Sequence, residues 1–243
     1  MPSRSSTHAY TATTAARSHT ARVVDDLGIA IISGREPAGS VLPGDAQLIS
    51  RYGVSRTVLR EALRTLGAKG LVKPKARIGT RVQERSEWNM FDSDVLLWHA
   101  KTGLGNRFLG HLGEMRLALE PAAAALAAQR RTAAQMKGIR EWVDRMGAPG
   151  ISRDDFVSAD LGFHLAVAGA AGNPFFHSIT TLIEVALVAM LTISSPVESS
   201  RRLKNSVLKH RGIADAIELK DTEAARLAMA AVIEEGISHS KVR

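Results

Sequence analysis

The sequence has 243 residues, of which 45% are hydrophobic and 23% are charged. These are ordinary globular values, so they exclude global disorder, and the length predicts one or two domains with a sizeable core. Cysteine is absent, which excludes thiol nucleophiles, zinc-thiolate sites and iron-sulfur clusters and fits a reducing compartment. No apolar run approaches the roughly 18 residues of a membrane span, which predicts a soluble protein.

The net charge of +8 is concentrated in the first third of the chain. Residues 1–85 contain 14 Lys and Arg against 6 Asp and Glu, whereas residues 86–243 contain 18 of each kind. This asymmetry predicts a basic module that meets a polyanion, joined to a neutral module with a different task. A basic surface that only aids solubility is the alternative.

The first 19 residues are rich in Ser, Thr and Ala and contain no acidic residue. This composition predicts a disordered arm. A transit peptide is the alternative, but the segment lacks the regular apolar stripe of an amphipathic targeting helix.

Residues 20–85 have the pattern of a small helical domain with a β-hairpin. Apolar spacing, the hydroxyl of Ser55 as a helix cap, and breaks at Gly and Pro define its elements. The predicted elements are helices over residues 20–33, 44–52 and 55–70 and strands over residues 71–73 and 80–83. A basic turn separates the two strands, which is typical of a wing beside a helix-turn-helix.

Three arginines repeat every four residues along the third helix, at Arg56, Arg60 and Arg64. Residues at this spacing share a face of the helix. Arginine binds guanine edges bidentately and neutralises phosphates, so the row predicts a helix that reads the major groove of DNA.

Residues 34–82 resemble the winged helix-turn-helix of the GntR family of bacterial transcription regulators. The resemblance implies DNA contacts from the following residues: Ser55, Arg56, Thr57 and Arg60 on the recognition helix and Gly79 at the wing tip. One position departs from the family pattern, because Ala46 stands where many relatives carry an arginine. A winged helix used only for protein contacts is the alternative.

The remaining chain is predicted to be helical. Residues 86–104 resemble the linker of FadR-type GntR regulators, especially those of sugar-acid catabolism. Six helical patterns follow, over residues 108–131, 132–146, 153–171, 174–194, 200–219 and 222–240. We therefore predict a mainly α fold, in which residues 20–85 form the winged helix-turn-helix and residues 105–243 form an all-α bundle of six or seven helices.

A candidate metal site lies in the predicted bundle. Asp160 and His164 are four residues apart and so share a helix face, and His210 on a later helix is a plausible third ligand. The nitrogen and oxygen donors of an Asp/His/His set are intermediate between hard and soft ligands, and such a set suits Zn, Mn, Fe or Ni. Taken alone, an Asp and a His at this spacing are more often ordinary surface or core polar residues.

The second module also resembles the FCD effector domain of FadR-type regulators. In metal-binding members, the residues that match Asp160, His164 and His210 are ligands, and a further histidine is the fourth. Here Val232 stands at the fourth position. The resemblance therefore implies either a divalent metal with three protein ligands, completed by water and effector, or a site that binds effector without metal.

Arg116 and Asn173 are candidate effector ligands. Arg116 and Glu120 are four residues apart; they are either an exposed helix ion pair or, as the FCD resemblance implies for the arginine, a group that holds a carboxylate. Asn173 contacts either the effector or its own turn, because Asn before Pro is common turn chemistry.

The sequence thus predicts a cytoplasmic, homodimeric transcription regulator rather than an enzyme. It would bind a palindromic DNA operator, have no membrane partner and act as a repressor released by a small carboxylate such as a sugar acid. A metal-dependent helical enzyme and an architectural DNA-binding protein without an effector are the two alternatives.

Overall fold

A computed structural model describes residues 18–103, 105–178, 180–193 and 195–240. The chain divides into two compact units, residues 1–89 and residues 90–243. The predicted linker, residues 86–104, is divided between them. Most of the predicted N-terminal arm, residues 1–17, lies outside the described residues, whereas its last two residues, Ser18 and His19, cap and begin the first helix.

The first unit contains three helices and a hairpin in the described part of the chain. Its elements are α1 (His19–Ile32), α2 (Asp45–Tyr52), α3 (Arg56–Ala68), β1 (Val72–Lys75) and β2 (Gly79–Val82). Leu27, Leu48 and Leu59, one from each helix, are fully buried. Their burial orients α3 so that its opposite face is solvent-exposed.

The hairpin is antiparallel and pairs Val72 with Val82 and Lys75 with Gly79. The segment before α2 adds to its edge, since the N–H of Leu42 donates to the carbonyl of Thr80 at 2.8 Å. These hydrogen bonds attach the wing to the body of the first unit.

The second unit is entirely helical apart from turns in its described residues. Its helices are α4 (Ser93–Lys101), α5 (Asn106–Arg130), α6 (Ala133–Met146), α7 (Arg153–Ala170), α8 (Pro174–Ser178), α9 (Thr180–Ile193), α10 (Ser200–Glu218) and α11 (Thr222–Ser240). Seven of the described helices lie after residue 105, which agrees with the predicted six or seven. Helices α8 and α9, which lie on either side of residue 179, correspond to the helix predicted over residues 174–194.

Helix α5 is central to the bundle, and α7, α10 and α11 pack against it. Small residues make close packing possible: the alanines at 124, 127 and 128 of α5 are fully buried in the main core. Helices α6 and α7 also approach closely, because a Cβ at Gly162 would lie 2.6 Å from the Trp142 ring. The mainly α fold predicted from sequence is confirmed. None of the described helices is both long and apolar enough to cross a membrane.

Candidate functional site

The recognition-helix candidates lie together on the exposed side of the first unit. The Ser55 hydroxyl accepts a hydrogen bond from the Val58 N–H at 3.3 Å, which fixes the start of α3. Leu59, Ala62 and Leu66 are buried on the inner face of this helix. The predicted contacts Ser55, Arg56, Thr57 and Arg60 are all exposed.

The arginines of this face differ in their surroundings. Arg64 lies 3.4 Å from Glu61 in an exposed ion pair. No ion pair of Arg56 or Arg60 is seen among the described residues, and Ala46 on α2, the position at which the resemblance implies an arginine in many GntR regulators, is exposed. Arg56 and Arg60 therefore present positive charge to solvent, while Ala46 cannot supply a polar contact.

The wing places further positive charge beside α3. Lys73, Lys75 and Arg77 are exposed on or between the strands. Gly79 has a φ of +113°, a conformation that favours glycine, and begins β2 at the end of the wing turn. A groove lined by Arg60, Arg64 and Lys73, among others, runs between α3 and the hairpin.

In the second unit, the structure brings together the three candidate metal ligands. Asp160, His164 and His210 are all buried, and each offers a ligand atom within 4.8 Å of the other two. We call these three residues the ligand cluster. Helix α7 supplies the first two from one face, and α10 supplies His210.

Both histidines of the ligand cluster are oriented by hydrogen bonds at Nδ1. The Nδ1 of His210 donates to the backbone carbonyl of Ser206 at 2.8 Å, and the Nδ1 of His164 bonds to the Glu120 carboxylate. Neither Nε2 atom has a hydrogen-bond partner, although the Nε2 of His210 lies 3.1 Å from Asp160 Oδ1. An imidazole that donates through Nδ1 carries its lone pair on Nε2, which is the arrangement of a metal-ligating histidine.

The predicted Arg116–Glu120 pair is present, but it is buried rather than exposed. The Arg116 Nε lies 2.5 Å from Glu120 Oε1, and both side chains are only 3% exposed. The alternative of an exposed surface pair is therefore wrong. Helix α5 continues through Pro121, and the two charged residues of the pair, Arg116 and Glu120, face the interior.

The charges of this region are mutually compensated. Burial alone raises the pKa of Glu120, but the Arg116 guanidinium and the His164 ring outweigh it and lower that pKa to about 2. Burial also raises the pKa of Asp160, and the nearby His210 ring reverses the direction so that the net shift is downward. For His210, burial lowers the pKa and the Asp160 carboxylate raises it, with a net upward shift.

A cavity of about 90 Å³ opens beside the ligand cluster. Arg116 and Val232 both line it, so the residue at the position of the family's fourth histidine faces the cavity without offering a ligand atom. The remaining lining residues are Leu187, Leu191, Pro196, Arg202, Ser206, Lys209, Glu235 and Gly236.

Comparison with known proteins identifies the two units. The family model for bacterial regulatory proteins of the gntR family matches residues 19–82, and the model for the FCD domain matches residues 111–235, just over half of the chain. The chain belongs to the GntR family. It is a GntR regulator that carries an FCD effector domain, as the resemblance implied.

Two relatives from Escherichia coli K12 extend along nearly the whole chain. The uncharacterized HTH-type transcriptional regulator YieP is 33% identical over 213 residues, which cover 87% of this chain and 90% of YieP. The galactonate operon transcriptional repressor is 31% identical over 214 residues, covering 88% of this chain and 93% of the repressor. Both are named as transcription regulators.

A solved structure supports the GntR fold. The Listeria monocytogenes protein Lar superposes with a TM-score of 0.63 at 19% identity, covering 92% of this chain and 96% of Lar. At this identity the likeness shows the shared architecture of a winged helix-turn-helix and a helical domain.

Asn173, the other predicted effector ligand, is not among the described residues that line the cavity. Its side-chain oxygen accepts a hydrogen bond from the Phe175 N–H at 3.0 Å at the start of α8. This contact supports the turn role that the sequence left open beside effector binding.

The structure adds a contact of Glu120 and several cavity residues that the sequence did not single out. Glu120 contacts both Arg116 and His164, so it orients two cavity-facing residues at once. Three polar residues of α10, Arg202, Ser206 and Lys209, line the cavity together with Glu235 of α11. Their spacing on α10 is helical and visible in the sequence, but polar residues at such spacing usually form a solvent-exposed face.

Proposed function

We propose that this GntR regulator is a homodimeric repressor that binds a palindromic operator through its basic first unit and is released when its FCD domain binds a C5 or C6 sugar acid. The effector site is the ligand cluster with a divalent cation and the adjoining cavity. The protein acts on the DNA of the bacterial cytoplasm. The orientation of the ligand cluster is the observation that carries this proposal.

The ligand cluster suits a cation better than it suits a set of hydrogen bonds. The buried Nε2 of His164 lies 4.0 Å from Asp160 Oδ2 with no hydrogen bond, and the Nε2 of His210 lies 3.1 Å from Asp160 Oδ1 in an ion-pair contact. Buried polar atoms are nearly always satisfied, so an exception of this kind needs an explanation. A bound divalent metal such as Zn²⁺ would satisfy all three donors and, with only three protein ligands, would leave positions open for water or effector.

The charge balance of the site favours an anionic effector. The Arg116–Glu120 pair is neutral as a unit, and the ligand cluster contributes one carboxylate. A divalent cation there leaves an excess positive charge, which the carboxylate of a sugar acid compensates. A long acyl-CoA fits poorly, because the polar lining would be buried against an alkyl chain without partners. The resemblance to a galactonate operon repressor supports the same class of effector.

The DNA half of the proposal rests on the exposed face of α3. Arg56 and Arg60 are positioned to read base edges or phosphates in the major groove, and Gly79 allows the wing to approach the backbone closely. One such helix reads only a few base pairs, so two copies on symmetric half-sites supply the specificity that a regulator needs. We expect the effector to favour a domain arrangement whose two winged units no longer match the half-site spacing.

Metal analysis combined with thermal unfolding tests the effector half. We expect close to one divalent metal ion per chain after incubation with Zn²⁺ or Mn²⁺, and a further rise of roughly 5 to 10 °C in Tm with a saturating C5 or C6 aldonate. Treatment with EDTA should abolish the aldonate effect, because the cation holds the carboxylate.

The variants His164→Ala and His111→Ala make this test specific. His164 belongs to the ligand cluster, whereas His111 is an exposed histidine of α5. His164→Ala should lose both the metal and the aldonate-induced rise, and His111→Ala should keep both. A parent protein that binds no metal, or an aldonate effect that survives EDTA, would contradict the proposed site.

A further inference from the structure

The cavity continues beyond the ligand cluster along one face of α10. Arg202, Ser206, Lys209 and His210 all line it. They stand at positions i, i+4, i+7 and i+8, so they form a single stripe on the helix. With a rise of about 1.5 Å per residue, the stripe extends about 12 Å. This length exceeds what one cation and one carboxylate occupy.

Helix α11 contributes the facing side of this part of the cavity. Val232, Glu235 and Gly236 line it at positions i, i+3 and i+4. Glu235 therefore lies about 4.5 Å along α11 from Val232, the residue that replaces the fourth histidine. Glu235 and the ligand cluster therefore line the same cavity, with Glu235 about one helical turn along α11 from Val232.

Lys209 and Glu235 form an ion pair that joins α10 to α11. The Nζ of Lys209 lies 2.7 Å from Glu235 Oε2, and the Asn205 amide donates to Glu235 Oε1 at 3.3 Å. The side chains of Lys209 and Glu235 are 38% and 32% exposed. They are accessible enough to meet a ligand, yet sufficiently shielded for their hydrogen bonds to matter.

The cavity also has an apolar side. Leu187 and Leu191 of α9 and Pro196 line it without offering a side-chain polar atom. A cavity that combines charged donors and acceptors with apolar residues matches a hydroxylated carbon chain, which presents both hydroxyl groups and C–H bonds.

We propose that the Lys209–Glu235 pair recognises the hydroxyl groups of the effector's carbon chain beyond its carboxylate. The Glu235 carboxylate accepts a hydrogen bond from one hydroxyl and the Lys209 ammonium donates to another; such charge-assisted hydrogen bonds are the strong ones. The pair thereby selects polyhydroxylated acids of five or six carbons over short 2-hydroxy acids. This inference rests on the proposed function, because it assigns specificity within the same site.

Equilibrium binding to the full-length, metal-loaded protein tests the inference. The probes are lactate, a three-carbon 2-hydroxy acid, and whichever of D-galactonate, D-gluconate and D-xylonate binds the parent protein most tightly. We expect the parent to bind that aldonate at least tenfold more tightly than lactate. Lys209→Met and Glu235→Ala should each weaken aldonate binding at least tenfold and change lactate binding less than threefold.

The control variant is Glu234→Ala, which removes an exposed carboxylate next to Glu235 on α11. It should leave both affinities unchanged. An unaltered preference for the aldonate in both test variants would overturn the inference, and so would loss of lactate binding along with aldonate binding, since that would indicate a structural role. A parent protein that binds neither lactate nor any aldonate would refute the proposed function itself, which is a distinct result.

Discussion

Glu120 is a buried carboxylate that orients two side chains of the cavity. One carboxylate oxygen pairs with Arg116 and the other with the Nδ1 of His164. The first contact holds a guanidinium in the interior, and the second directs the Nε2 of His164 toward Asp160. A carboxylate behind a ligating histidine fixes the ring and raises its basicity as a ligand. In the proposed metal site, Glu120 is therefore a positioning residue.

Only part of this arrangement was predictable from the sequence. The spacing of Asp160 and His164 predicts a shared helix face, and the FCD resemblance adds His210. The contact of Glu120 with His164 joins two helices, α5 and α7, that are 44 residues apart at these positions. Such a contact depends on how the helices pack, and helical periodicity within one segment carries no information about it.

Glu184, a half-buried carboxyl on α9, gives a prediction about pH. Partial burial raises the pKa of Glu184, and no ion pair of this residue is seen among the described residues. A raised folded-state pKa means that folding favours the protonated acid, so stability is lost as pH rises from the ordinary carboxyl range through the higher folded-state value. We expect Glu184→Gln to raise Tm by about 1 to 3 °C at pH 7.

The same substitution should have almost no effect at pH 4, where the parent side chain is already protonated. Thermal unfolding at both pH values checks this. Equal effects at pH 4 and pH 7 would mean that the ionised form of Glu184 carries no penalty.

Helices α3 and α10 each have one face that packs against the core and a polar face that is available to a ligand. Helix α3 buries Leu59 and Leu66 and exposes its arginines, a division that its apolar and basic spacing predicts. Helix α10 instead buries His210 and turns a polar stripe toward a cavity. The sequence pattern of this stripe is that of a solvent-exposed face, and the packing of α11 against α10 encloses part of it.

Helix α3 carries a prediction about DNA binding. Arg60 is exposed, so Arg60→Ala should leave the fold intact while costing about 1 to 3 kcal/mol in specific operator binding. The control is Arg226→Ala, which removes an equal charge from an exposed pair with Glu223 on α11. Fluorescence anisotropy on the protein's own promoter region measures both, at two salt concentrations because phosphate contacts are salt-dependent. Equal affinities of Arg60→Ala and the parent would refute the assignment.

The excess positive charge and the candidate metal ligands lie in different units of the chain. The excess of basic residues lies within residues 1–85, which form most of the first unit, and the buried ligand cluster lies in the second. This division was predictable from charge counts and helical patterns, because both are properties of long segments. Membership of the GntR family, with an FCD domain in the second unit, accounts for the presence of both units in one chain.

The proposed function requires that effector binding in the second unit be coupled to DNA binding by the first. A ligand shifts DNA affinity only if it binds the DNA-competent and released states with different affinities, and coupling in such systems corresponds to a change of roughly 5 to 150-fold. The two variants His164→Ala and His111→Ala again separate the effector site from the rest of the protein, because only His164 belongs to the ligand cluster.

The most direct test is operator binding by the metal-loaded protein, measured in a mobility shift across a panel of aldonates, uronates, lactate and acyl-CoAs. A C5 or C6 sugar acid should lower operator affinity at least tenfold for the parent and for His111→Ala, whereas His164→Ala should bind the operator normally and remain bound. If only an acyl-CoA releases the protein, or if His164→Ala responds like the parent, the ligand cluster is not the effector site.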